Sequence, residues 1–189
     1  MRIISGNLRG SILYVPKDKS IRPLKDLARE SIFNLLTHSN KIMFQLEKSN
    51  VLDLFAGTGS FGLECLSRKA KKVYFIEKEK TAIKILKKNI EKLKLGKKTK
   101  VVFSDVFTLI KKKNNFDLKF NLIFCDPPFK SLNIDNLIQG IFNNNLLMKN
   151  GIIILHRNKN AMDNFPDYFK FLDERTYGIS KIIFGKFLI

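Results

Sequence analysis

The sequence predicts an α/β fold on a mostly parallel sheet with one reversed strand, and three observations carry that expectation. From about residue 50, short apolar runs alternate with stretches of helical periodicity, as strands joined by crossover helices do. A glycine turn, Gly57-Thr58-Gly59, follows the first of these runs. The last two runs, about 169 to 177 and 181 to 188, are separated only by Gly178-Ile179-Ser180, a connection that permits an antiparallel pair but not a parallel one.

Taken in order, Arg2-Ile3-Ile4 and Ile12-Leu13-Tyr14-Val15 flank a segment holding Gly6, Asn7 and Gly10, which predicts a small hairpin. Pro23 marks a helix start, with Leu24, Leu27, Ala28, Ile32, Leu35 and Leu36 recurring at helical spacing. Arg22, Lys25 and Arg29 fall off that stripe and are expected to face outward. Val51-Leu52-Asp53-Leu54-Phe55 is the first strand of the sheet, residues 60 to 68 a helix, and Val73-Tyr74-Phe75-Ile76 the second strand. Ala82, Ile83, Leu86, Ile90 and Leu93 mark the next helix, whose opposite face carries Lys84, Lys87, Lys88 and Lys92, a solvated surface. Val101-Val102-Phe103 forms the third strand, residues 111 to 115 a helix end and loop, and Leu122-Ile123-Phe124-Cys125 the fourth strand. A helix with Leu137, Ile138, Ile141 and Phe142 inward leads through Gly151 to the fifth strand, Ile152-Ile153-Ile154-Leu155. These elements divide into an amino-terminal extension, 1–45, and a main domain, 46–189.

At 189 residues and 44% hydrophobic content the chain can build a substantial core. Its 35 Lys+Arg against 17 Asp+Glu leave a formal charge of +18, which suits a polyanionic partner such as nucleic acid. A codon bias toward Lys, Asn and Ile would raise the charge too, so the charge supports that partner without proving it. Cys65 and Cys125 lack metal-like spacing and read as buried thiols, with no metal site. The opening MRIISGNLRG lacks the apolar core of a signal peptide, and no run of about 18 apolar residues occurs, so a cytoplasmic protein with no membrane partner is expected.

Asp53-Leu54-Phe55-Ala56-Gly57-Thr58-Gly59 lies where the first strand turns into a helix, and glycine at 57 and 59 lets the chain turn sharply and a ligand approach it. Glu77 ends the second strand, where a carboxylate can accept from two ribose hydroxyls. Asp105 follows the third strand and could take an adenine amino group. The run Gly57 to Gly62 also spells GxGxxG, so a nicotinamide cofactor stays in play. A pyrophosphate, however, wants bare amides at a helix amino terminus, whereas Asp53 puts a carboxylate there. That carboxylate suits the cationic, phosphate-free methionine end of S-adenosylmethionine. For each acid alone, a helix cap or loop carboxylate is the plainer reading.

Asp126-Pro127-Pro128-Phe129 follows the fourth strand. An exocyclic base amine is a poor nucleophile because its lone pair is delocalised into the ring. If Asp126 and the Pro127 carbonyl accept its two hydrogens, the nitrogen can turn tetrahedral and aim its lone pair at an activated methyl group. The prolines fix the backbone, and Phe129 offers an unstacked base an aromatic face worth about 1–3 kcal/mol. A proline turn with an incidental aromatic is the structural alternative.

With these residues in view, the chain resembles the class I methyltransferases of the N6-adenine and N2-guanine type, which carry a (D/N)PP(F/Y/W) motif. More narrowly it looks like the bacterial 16S ribosomal RNA guanine-N2 methyltransferases. RIISGNLRG at the start, RPLKDLARESIFN at 22–34, and DLFAGTGSFGLECLSR at 53–68 together with DPPF at 126–129 carry the likeness. The resemblance implies a Rossmann-like, seven-stranded sheet and a small amino-terminal extension that grips RNA. It also implies S-adenosylmethionine held by Asp53, Phe55, Ala56, Gly57, Gly59, Glu77 and Asp105, and a guanine of the small ribosomal subunit held by Asp126 and Phe129. A monomer is implied as well. Arg22, Lys25 and Arg29 are the candidate phosphate contacts. Leu24 stands where threonine is usual, so no role for that hydroxyl carries over. An adenine-N6 methyltransferase, a noncatalytic RNA-binding assembly factor and an NAD-dependent oxidoreductase remain open alternatives. His38 and His156 are given no chemistry.

Overall fold

A computed structural model of the chain describes residues 1–16, 26–113, 116–129 and 133–188. Helix α1 spans Asp26–His38, and strand β1, Asn50–Leu54, leads into α2, Ser60–Ser67. Then follow β2 (Lys72–Glu77), α3 (Lys80–Lys92), β3 (Thr99–Phe103), α4 (Val106–Lys111) and β4 (Phe120–Cys125). The chain continues through α5 (Ile134–Asn143), β5 (Leu147–Asn158), β6 (Phe169–Tyr177) and β7 (Ser180–Phe187).

Among the described residues seven strands form one sheet in the order β3-β2-β1-β4-β5-β7-β6. Strands β1 to β5 run parallel, and β7 pairs antiparallel with both β5 and β6. The fold is therefore the Rossmann-like one expected, with β7 the reversed strand. Helices cover both faces, so the central strands have no solvent face and are apolar throughout. Ile123, Cys125, Ile153 and Leu155 are all fully buried.

Side chains alternate across the sheet with period two. Val51, Phe75, Phe124 and Ile154 pack on one face with α1 and α2, whereas Leu54, Ile76, Cys125 and Leu155 pack on the other with α5. Asp53, Glu77, Asp126 and His156 have the parity of the first face, so that face carries the polar groups at the carboxyl edge. The chain leaves β1 toward β2 and returns on its other side as β4. This reversal opens a crevice at the strand ends.

The amino-terminal segment packs on that first face, with Ile3 and Leu13 in its core. The expected hairpin is one antiparallel bridge, Arg2 to Ile12, flanked by backbone bonds such as Gly10 N–H to the Ile3 carbonyl (2.9 Å). Side chains of α2 and α3 fasten it. Buried Glu64 accepts from the amides of Ile4 (2.7 Å) and Ser5 (2.9 Å), and Asn89 accepts from the Tyr14 amide (2.8 Å). Gly6 has φ +83°, and a Cβ there would overlap the Ser67 carbonyl, so both the turn and the close approach require glycine.

Helix α1 is rotated from the stripe expected. Leu27 is exposed, while Ala28, Ile32, Phe33 and Leu36 are buried. Phe33 decides the rotation by stacking on Phe61 of α2 at 5.2 Å. Pro23 and Leu24 lie outside the described residues. Strand β5 starts earlier than the apolar run suggests, at Leu147, with a register break opposite Phe120 and Leu122. No helix among the described residues is long and apolar enough to cross a membrane.

Candidate active site

A cavity of about 510 Å³ opens at the carboxyl edge of β1, β2, β4 and β5. Its wall brings together the glycine loop, Asp53, Glu77 and the whole Asp126-Pro127-Pro128-Phe129 segment. Phe61 and Phe124 also line it and stack on each other at 3.9 Å, continuing the aromatic pile begun by Phe33.

At the glycine-loop end of the cavity, Gly59 adopts φ +84° as the residue before α2, and Leu86 fills the space a Cβ would need. Phe55, though not glycine, also has φ +61°, a conformation costing of order 1–3 kcal/mol that clusters at functional sites. Asp53 is buried and accepts from the Gly62 amide at 3.0 Å, near the α2 amino terminus. Burial pushes its carboxyl well above the ordinary range; the Gly62 bond opposes this, and the negative charges of Asp126 and Glu77 add to it. Glu77 accepts from the amides of Gly57 (2.7 Å), Lys78 (2.7 Å) and Glu79 (2.8 Å), which ties the glycine loop to the start of α3. A carboxylate has about four acceptor sites, so one is left for a ligand.

Asp105 stands beside the cavity, whose wall here is formed by its neighbours Ser104 and Val106. It caps α4 by accepting from the Thr108 amide (3.0 Å) and pairs with Lys78 (3.3 Å). Burial raises its pKa, but the Thr108 bond and Lys78 outweigh it and leave the carboxyl below the usual range.

At the other end of the cavity, the Asp126 amide donates to the Leu54 carbonyl (3.3 Å), locking the segment to β1. Asp126 Oδ1 lies 2.7 Å from Nδ1 of His156, a residue to which the sequence reading gave no chemistry. The register explains the meeting: Cys125 pairs with Leu155, so the next residue of each strand is adjacent. Two apolar runs ending in a polar residue carried that signal. Phe129 packs edge-to-face on the imidazole at 5.3 Å, and buried Arg157, paired with Asp163 at 2.8 Å, reaches the Pro128 carbonyl at 3.4 Å.

The expected phosphate contacts fare differently. Arg22 and Lys25 lie outside the described residues. Arg29, expected to face outward, is fully buried, and this corrects its assignment. It donates to the Arg2 carbonyl (2.6 Å) and pairs with Asp26 (3.0 Å), holding the first residues of the chain against α1 because the Phe33 stack turns that side inward. Burial lowers its pKa, with Glu64 and Asp26 opposing. The lysines at 84, 87, 88 and 92 are exposed, as the periodicity of α3 required.

A family model described as "Conserved hypothetical protein 95" matches residues 1–186. Ribosomal RNA small subunit methyltransferase D of Haemophilus influenzae is 36% identical over 180 residues, covering 95% of this chain and 90% of that protein. The chain belongs to this family. The Escherichia coli K12 member of the same name is 31% identical over 179 residues, covering 94% of this chain and 85% of that protein. The solved yhhF protein of Escherichia coli superposes with a TM-score of 0.83 at 29% identity, covering 98% of this chain and 96% of its own. The solved HI0767 protein of Haemophilus influenzae gives 0.79 at 34% identity, covering 100% and 98%.

Family and fold together make the chain a methyltransferase, and S-adenosylmethionine is its cofactor. The residues fit that molecule. Two buried carboxylates beside the glycine loop suit a cation and ribose hydroxyls and oppose a pyrophosphate, and the cavity volume falls in the small-ligand range.

Proposed function

We propose that the chain transfers a methyl group from S-adenosylmethionine to the exocyclic N2 amine of a guanine in 16S rRNA of the small ribosomal subunit. The observation that carries this reading is that Asp126-Pro127-Pro128-Phe129 and the donor-side carboxylates open on one cavity at the sheet's switch point. The names of the relatives, ribosomal RNA small subunit methyltransferase D, support the RNA class. The RIISGNLRG and RPLKDLARESIFN segments support guanine over adenine.

S-adenosylmethionine supplies a methyl group already activated on a sulfonium. The protein's work is then alignment. Asp126 and the Pro127 carbonyl accept the amine hydrogens, drawing the nitrogen out of conjugation and taking up the positive charge that develops on it. Phe129 stacks the base, and the two prolines together with the Leu54 bond hold the acceptors still. Asp53 and Glu77 bind the methionine end and the ribose, with Phe55, Ala56, Gly57 and Gly59 shaping the loop around them; Asp105 supports the adenine side as the cap of α4. The extension grips RNA through Arg22 and Lys25, and the net charge of +18 favours the approach of a polyanion.

The test incubates the protein with labelled S-adenosylmethionine and 30S particles lacking the modification, then identifies the methylated nucleoside. N2-methylguanosine is the expected product. Methyladenosine would overturn the base assignment in favour of an adenine-N6 enzyme.

A further inference from the structure

We infer that His156 is a positioning residue for methyl transfer: its Nδ1 holds one carboxylate oxygen of Asp126 and so leaves the other free for the target amine. This rests on the role given to Asp126 above, and it holds whichever base carries the amine.

A carboxylate on a short stem turns easily, because its terminal torsion is broad and two-fold. Left alone in a cavity, it would present either oxygen in many orientations. Here Asp126 Oδ1 lies 2.7 Å from Nδ1 of His156. The second oxygen has no hydrogen-bond partner among the described residues and is not buried, and Asp126 lines the cavity. One oxygen is therefore committed and the other open. To accept from an amine the carboxylate must be ionised, and against an ionised carboxylate Nδ1 carries the hydrogen. The imidazole then fixes the acceptor before the base arrives, and such prior alignment is a source of rate.

The surroundings of His156 fit that role better than a space-filling one. Its side chain is 8% exposed, and its outer nitrogen is buried without a hydrogen-bond partner among the described residues. Burying such a ring costs free energy that an apolar side chain would not incur. Among the described residues the hydrogen bond of the ring is to Asp126 alone. The imidazole is itself held in place: Phe129 packs edge-to-face on it at 5.3 Å, and the pairing of Cys125 with Leu155 sets the two strand ends side by side. A misplacement of about 1 Å at such an acceptor can cost about 10²-fold in rate.

The test compares two amide replacements by single-turnover transfer to unmodified 30S particles, with both substrates saturating. His156→Asn keeps a hydrogen-bonding group near Nδ1, whereas His156→Gln is closer to histidine in size but carries its amide near the outer nitrogen. If His156 only filled space, Gln would be the milder change. Positioning requires the reverse: the Asn variant should be faster than the Gln variant by about ten-fold. Affinity for S-adenosylhomocysteine and for the particles should match the wild type in both. In an Asp126→Ala background, His156→Gln should slow the residual reaction by less than about two-fold, because the group it acts through is gone. An Asn-to-Gln rate ratio of about one or below, or losses that multiply in the double variant, would overturn the positioning role. Asp126→Ala transferring methyl at the wild-type rate would instead sink the role of Asp126 itself, and methyladenosine in the wild-type digest would sink only the base assignment.

Discussion

Replacing Asp126 by alanine removes two things at once, and their magnitudes can be worked separately. The first is an acceptor aimed at charge developing on the amine; loss of one such group costs about 10²–10³ in kcat, or roughly 2.7–4 kcal/mol. The second is the partner of His156 Nδ1, 2.7 Å away on a side chain only 8% exposed. Leaving that ring nitrogen unpaired costs about 1–3 kcal/mol of stability. In a chain of 189 residues each kcal/mol moves Tm by about 2–4 °C, so a fall of roughly 2–12 °C is expected. Single-turnover transfer from labelled S-adenosylmethionine to unmodified 30S particles reads the first quantity, and a thermal melt reads the second. Affinity for S-adenosylhomocysteine should stay within about two-fold, because Asp126 lies on the acceptor side of the cavity. Asp126→Asn keeps one acceptor oxygen and should recover part of the rate. If Asp126→Ala transferred methyl at the wild-type rate, the role given to the tetrapeptide would be wrong.

Three further outcomes follow from the same geometry. Cofactor affinity should depend on pH through Asp53: its carboxyl titrates well above the usual range, so below that value binding a cation must expel a proton and affinity falls about ten-fold per pH unit. Calorimetry across pH reads this, and Asp53→Asn should flatten the profile. By the same linkage the ligand-free fold gains from protonated Asp53 below the unfolded value and loses that gain as pH rises through the folded one, so its Tm should drift down across the window. Gly6→Ala should destabilise by about 3 kcal/mol or more, since strain and overlap with Ser67 add, whereas Gly10→Ala, with open space and φ +86°, should cost only about 1–2 kcal/mol in denaturant melts. Finally, Arg29→Met should leave the salt dependence of RNA binding unchanged, while Arg22→Ala and Lys25→Ala each reduce the log–log slope by about one if they meet phosphates.

The sheet was legible because both faces of its central strands are covered, so Leu122 to Cys125 and Ile152 to Leu155 stand out as unbroken apolar runs. The reversed strand was legible from the brevity of the 178–180 connection. The meeting of Asp126 with His156 was not, since it depends on the register of two strands thirty residues apart in sequence. The orientation of α1 was hidden for a similar reason. Leu27 and Phe33 cannot share a face, and the choice between them is made by Phe61 on another helix. The capping of α4 was locally readable, as Asp105 precedes Thr108 by three residues.

The side-chain amide of Asn89 carries a consequence for anyone handling the protein. It donates to the carbonyls of both Tyr14 (3.1 Å) and Thr58 (3.1 Å), while its oxygen holds the Tyr14 amide. Residue 14 and the glycine loop therefore share one clasp. A fusion partner or surface tether pulling on the amino terminus would load the glycine loop that lines the cavity, and proteolytic trimming there would leave a buried amide searching for bonds. Tyr14 thus helps to frame the cavity, and a tag is better placed away from the amino-terminal segment.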